Sequence, residues 1–279
     1  MRELSAQLIT DTVKRLCIEA NCHLPQDMKN CIQTSLKLED WPGAREILER
    51  IVENYEIADV ENQPICQDTG VACVFLKIGQ EVHICGDIQE AVNEGVRQGY
   101  REGYLRKSVV RDPLDRVNTD DNTPAFIYYE LVPGDQVEIT VAPKGFGSEN
   151  MSRIKMLRPS DGVQGVVDFV VQAVEEAGPN PCPPIVVGVG IGGTFDKAAL
   201  LAKKALLRPT DTPNENPFYA QLEQVLLEKI NALGIGPQGL GGRTTALAVN
   251  IETMPTHIAG LPVAVNINCH VTRHQTEVL

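Results

Sequence analysis

The sequence predicts an α+β fold, with mixed and mainly antiparallel sheets flanked by helices. Two observations carry that reading. Apolar residues recur at helical spacing in some segments and at alternate positions in others, yet the segments follow no steady strand–helix–strand rhythm, which argues against a doubly wound sheet. Two strand-like runs also flank Pro133-Gly134-Asp135, a turn signal that predicts an antiparallel hairpin.

Taken in order, the N-terminal stretch MRELSAQLITDTVKRL reads as an amphipathic helix, and its acidic residues argue against a secretory signal. Ala44, Ile47, Leu48, Ile51, Val52 and Tyr55 line one face of a second helix, which Asn62-Gln63-Pro64 ends. Val71 to Ile78 reads as a strand, and Asp87 as the cap of a helix running toward Gly103. Phe126 to Val132 and Gln136 to Ala142 are the hairpin strands, with Val137, Ile139 and Val141 alternating. A helix from about Val163 to Ala177 precedes a proline-rich bend, Gly178 to Pro184. Ile185 to Val189 reads as a buried strand, and Thr194 as the cap of the helix after it. A helix near Phe218 to Leu233 then leads through glycine-rich Gly234 to Gly242 into two apolar runs, Thr245 to Ile251 and Leu261 to Asn268. No repeat or disordered linker divides the 279 residues, which suit one large domain or two small lobes.

Composition excludes some functions. A net charge of −12 leaves no basic surface for nucleic acid, although a buried pocket can still hold an anion. No run approaches the 18 apolar residues of a membrane span, and the expected location is cytoplasmic. Eight cysteines in such a chain are better read as core thiols and ligands than as a disulfide framework. Cys17, Cys22, Cys31, Cys73 and Cys85 fall within helix-like or strand-like runs and read as small buried hydrophobes.

Three others stand at the ends of elements, where a thiolate can point into a shared cleft. Cys66 lies in Ile65-Cys66-Gln67-Asp68-Thr69-Gly70, at a break between helix and strand. Cys182 is set among prolines, a context that favours extended backbone. Cys269 closes an apolar run in Asn266-Ile267-Asn268-Cys269-His270. Such a trio suits zinc, with His257 or His270 as fourth ligand, or an iron–sulfur cluster with one open iron; the spacing matches no compact zinc or ferredoxin motif. The Gly188-Val189-Gly190-Ile191-Gly192-Gly193 run departs from a dinucleotide fingerprint, and Lys144 precedes its glycines rather than following them as in a phosphate loop.

The choice comes from resemblance. Ile65 to Gly70, Lys144-Gly145-Phe146-Gly147-Ser148-Glu149-Asn150, Val187 to Thr194, Gly234-Ile235-Gly236-Pro237-Gln238-Gly239 and Val265 to His270 occur in order. Together they resemble the cluster-binding half of class I fumarases, and L-tartrate dehydratase α subunits share much of the pattern. The resemblance covers nearly the whole chain. It implies a 4Fe–4S cluster on Cys66, Cys182 and Cys269, in a cleft framed by the sheets and helices, with one iron left open as a Lewis acid.

It further implies that Gln67 and Asp68 contact substrate, Asp68 either exchanging a proton with the departing oxygen or orienting a neighbour; without the family, Asp68 reads as a turn residue. Arg106 resembles the carboxylate-binding arginine, since a guanidinium fork matches a carboxylate. Gly145 and Gly147 form a loop that lets backbone N–H groups approach an anion. His257 matches an active-site histidine that binds a carboxylate or orients a base, against the plainer reading of a structural imidazole. His270, Arg273 and His274 read as groups at the site rim or a subunit contact.

The fused family continues into a second domain that carries further substrate residues and the carbon-proton base. Here that domain is expected on a separate β subunit, giving an α subunit nearly inactive alone and a dimer of αβ units. Gly147 to Asn150 and Pro255 to Ile258 look more like fumarases, so fumarate and malate are the expected dicarboxylates, with tartrate the alternative. Readings from other classes are a Cys3His zinc module and an electron-transfer iron–sulfur protein.

Overall fold

The computed structural model describes residues 2–279 and divides into two compact units. The first comprises residues up to Pro25, Tyr55–Gly145 and Arg273–Leu279; the second comprises Gln26–Asn54 and Phe146–Thr272. The α+β expectation holds, and the sheets are mixed, with parallel and antiparallel pairings in both four-stranded sheets.

In the first unit, strand β1 (Arg2–Ser5) precedes helix α1 (Ala6–Cys22), which begins after Ser5, whose hydroxyl accepts the Gln7 N–H at 3.2 Å. The expected N-terminal helix therefore starts later than its sequence pattern suggests, and Met1 lies outside the described residues. Between α1 and the sheet, Ile9, Val13 and Leu16 pack with Val92, Val96 and Tyr100 of α4 (Ile88–Glu102). Asp87 caps α4 by accepting the Glu90 N–H at 3.0 Å, as read from the sequence.

The sheet runs β10 (Gln275–Val278), β5 (Val137–Lys144), β2 (Val71–Gly79), β4 (Phe126–Val132). This corrects the predicted hairpin: β2 lies between β4 and β5, parallel to one and antiparallel to the other. The Pro133-Gly134-Asp135 turn straddles the end of β2, with the Gly79 N–H donating to Gln136 O and the Gln80 N–H to Val132 O. The physical reason is burial. Val71 to Leu76 are buried without a break, as a central strand demands, whereas β4 is largely exposed, as an edge strand can be. The short β3 (Val82–Cys85) pairs in parallel with β1, and Cys85 is exposed rather than in the core.

In the second unit, the sheet order is β6 (Arg153–Leu157), β9 (Leu261–Asn268), β7 (Ile185–Gly192), β8 (Ala246–Met254). Val187, Val189 and Ile191 of β7 face Val166, Val170 and Val174 of α6 (Gly162–Ala177) and Leu226 and Ile230 of α8 (Pro217–Asn231). The opposite face of β7 carries Gly188 and Gly190, against which α7 (Phe195–Ala205) packs. A Cβ on Gly190 would lie 2.1 Å from Ala198 O, so this glycine run serves helix–strand packing. Thr194 precedes α7, but its hydroxyl donates to the Asp196 carboxylate instead of capping the helix. Helix α2 (Gln26–Leu38) carries Cys31, which the sequence places in or beside a helical segment without fixing its bounds, and α3 (Pro42–Glu61) extends the helix read from Ala44 to Tyr55.

Candidate functional site

In the first unit, residues 65–70 form a loop held from several sides. The Ile65 N–H donates to Asn21 O, and the Tyr100 hydroxyl donates to Thr69 O at 2.9 Å. Asn122 Nδ2 donates to Gly70 O at 3.2 Å, and the Thr69 hydroxyl donates to Arg106 O at 3.0 Å. Arg273 Nη2 donates to Asp68 O at 2.7 Å. With so many ties, the side chains at 66–68 project from a fixed backbone.

Their chemistry is concentrated. The Asp68 N–H points at Cys66 Sγ, 3.4 Å away. Asp68 Oδ1 accepts the Gly70 N–H at 3.1 Å, which is the turn hydrogen bond that the plainer reading anticipates. Oδ2 lies 3.0 Å from where a Cβ on Gly145 would sit, so Gly145 leaves room for the carboxylate. Gln67 and Arg106 are exposed, and the Arg106 backbone touches the loop through Thr69. Thus Cys66, Gln67, Asp68, Arg106 and Gly145 are gathered together.

The second unit gathers two thiols. The antiparallel register of β7 with β9 pairs Val186 with Asn268, so the start of β7 and the end of β9 share one end of the sheet. Cys182 and Cys269 stand there, and the His270 N–H donates to Cys182 O at 3.4 Å. His270 Nδ1 donates to the same carbonyl at 3.0 Å. The Cys182 backbone is not extended as its prolines suggest: its φ is 55°, a left-handed conformation uncommon outside glycine, and its N–H donates to Pro179 O at 3.1 Å. Both the backbone N–H and the side-chain Nε2 of Gln238 donate to Pro183 O at 2.8 Å. Gly239, at φ 77°, admits this clamp, because a Cβ there would meet Pro179 Cβ at 2.2 Å. The glycine-rich motif around Gln238 thus holds the Cys182 bend.

Two expectations are placed elsewhere. Gly147 lies inside a short helix, α5 (Phe146–Glu149), rather than in an open loop. His257 is exposed in the turn between β8 and β9, and the neighbouring Thr256 hydroxyl donates to Gly193 O. The 8 residues of β9, at about 3.3 Å each, put about 26 Å between that turn and Cys269. The structure does not bring His257 to the thiols of its own unit. Sequence reasoning missed the positioning roles of Tyr100, Asn122 and Gln238; only the glycines beside Gln238 signalled anything locally.

The donor chemistry within each unit suits iron–sulfur ligation. None of the eight cysteines is in a disulfide, and the three that end elements include a sulfur that accepts a backbone N–H and two thiols at one sheet end. Among the described residues no group of three or more His, Cys, Asp or Glu side chains is set to cage a single metal ion. A cubane, whose irons occupy separate corners, spreads its thiolates more widely than one ion does. Among the described residues no helix is long and apolar enough to cross a membrane.

Thiols, an acid and an arginine on loops fixed at strand ends are groups suited to acid–base and ligand chemistry. The chain belongs to the fumarate hydratase (Fumerase) family, whose model matches residues 10–278. The resemblance read from five sequence blocks is borne out. A Methanocaldococcus jannaschii protein provisionally named L(+)-tartrate dehydratase subunit alpha is 47% identical over 95% of each chain. L(+)-tartrate dehydratase subunit alpha of Escherichia coli K12 is 33% identical over 99% of this chain and 92% of its own.

Proposed function

We propose that this chain is the α subunit of an iron–sulfur hydro-lyase that removes water from a four-carbon hydroxy-dicarboxylate, L(+)-tartrate in the first instance. Tartrate is favoured by the names of the relatives, one of them 47% identical. The (S)-malate/fumarate pair, expected from the Gly147–Asn150 and Pro255–Ile258 motifs, is the second reading and is supported by the family match. The single observation that carries the site is the fixed loop on which Cys66, Gln67 and Asp68 follow one another, with Arg106 tied to it.

In this reading Cys66, Cys182 and Cys269 hold a 4Fe–4S cluster. When bound, such a cluster supplies a Lewis acid at the one iron that lacks a protein ligand. The chain's own groups do the rest. Arg106 forks a substrate carboxylate, and Gln67 hydrogen-bonds beside it. In dehydration, protonated Asp68 donates from Oδ2 as the C–O bond breaks, so the hydroxyl leaves as water; the carbon-bound proton goes to a base on the β subunit. In hydration both transfers reverse. Gly145 keeps space for that carboxylate, and the backbone near Gly147 borders the approach of the substrate. His257 is given no part in this chain's own thiol site.

The test is an anaerobic assay of the chain co-purified with its β subunit. The rates kcat/KM for L(+)-tartrate and (S)-malate are measured on one preparation. Tartrate turnover at least tenfold above malate supports the first reading, and the reverse order supports the second. A preparation carrying cluster but acting on neither diacid contradicts both.

A further inference from the structure

Arg273 is a buried cation with no anionic partner among the described residues. Its residue is 4% exposed, yet among the described residues it forms no ion pair. Its Nη2 donates to the Asp68 carbonyl at 2.7 Å, while its Nε is buried with no hydrogen-bond partner. Buried charges are ordinarily paired, because an ion taken from water without a counter-charge strongly opposes folding. The neighbouring acidic hydrogens do not supply that charge. Burial raises the Cys22 thiol and holds the Tyr100 phenol well above 10.0, although Arg273 pulls both down, so both stay neutral near pH 7.

The same peptide links Arg273 to the thiol. Asp68 offers its N–H to Cys66 Sγ and its carbonyl to Arg273, so the guanidinium fixes the segment from which that N–H projects. We propose that Arg273 is a positioning residue: it pins the Cys66–Gly70 loop and supplies the positive charge that balances the anion held on that loop. The anion is the cluster itself, since three thiolates on a 4Fe–4S core carry net negative charge. This inference rests on the cluster reading above, and it adds a role that the sequence left as a rim or contact group.

The experiment uses the anaerobically reconstituted αβ complex with Arg273→Gln and Arg273→Lys. Gln keeps a donor for the Asp68 carbonyl but removes the charge; Lys keeps the charge without the fork. The readouts are the midpoint potential of the cluster, followed by electron paramagnetic resonance, and the rate of iron loss to a chelator. Arg273→Gln is expected to move the potential to a more negative value, because the reduced cluster loses its stabilising charge, and to release iron on the order of ten- to a hundredfold faster. Arg273→Lys is expected to keep the potential near that of the parent.

A Gln variant with the parent's potential and iron-loss rate overturns the inference. So does loss of the folded chain in both variants, or an equal shift of potential in both, since either result assigns Arg273 a purely structural role. A parent complex that takes up no iron overturns the cluster reading instead, and this inference falls with it.

Discussion

At the scale of single residues, the chain distinguishes thiols that are packed from thiols that are presented. Cys17 is buried in the core of the first unit, and burial pushes its thiol up to about 12 from the ordinary 9.0; Cys31 is pushed up to about 11. A thiol that ionises less readily when folded contributes fully below pH 9.0, and that stability is lost as pH rises toward about 12. By about pH 10.5 the Cys17 contribution should have fallen by about 2 kcal/mol. Urea unfolding at pH 8 and at 10.5 should therefore show a smaller alkaline loss in Cys17→Ala than in the parent. Equal losses would show that the thiol is not sealed. Asp68→Asn should lower kcat on the order of a hundred- to ten-thousandfold with iron content unchanged; activity kept near the parent's would remove Asp68 from the chemistry. The sequence made Cys66, Cys182 and Cys269 visible through local breaks, a helix end, a proline bend and the close of an apolar run. It could not reveal how Tyr100, Asn122 or Arg273 hold the loop, because each reaches it from a distant segment, and Arg273 read only as a rim or contact group.

At the scale of elements, extents were more legible than pairings. Apolar runs, continuous in β2, β7 and β9, mark where β2, β4, β7 and β9 lie, within a few residues. A turn signal says only that the chain reverses, and β2 occupies the gap between the two strands that the turn joins. Strands β1, β3, β6 and β10, at 4 or 5 residues, are too short for a periodic signal. Helix packing on β7 gives a sharp test. Gly190→Ala places a methyl against the Ala198 carbonyl, and α7 must lift to admit it. The variant should lose about 1–3 kcal/mol, read as a lower thermal midpoint with cluster content retained. A midpoint equal to the parent's would mean that α7 does not seat on this strand.

At the scale of the whole molecule, the acidic net charge leaves recognition of any anion, such as the proposed diacid, to a few placed cations rather than to a basic surface. The relatives are named as alpha subunits, so this chain alone is expected to bind iron but to turn over at least about a hundredfold more slowly than the αβ complex. Full activity of the isolated chain would contradict that expectation. The family was legible because five short motifs keep their order along the chain. The diacid was not, since no motif measures a pocket. The most direct test of the central claim is iron and acid-labile sulfide counted per chain after anaerobic reconstitution. The parent and Cys85→Ser, whose thiol is exposed, should hold about four of each, whereas Cys66→Ser, Cys182→Ser and Cys269→Ser should each lose most of both. A full complement in any of those three variants, or an equal loss in Cys85→Ser, would contradict the assignment.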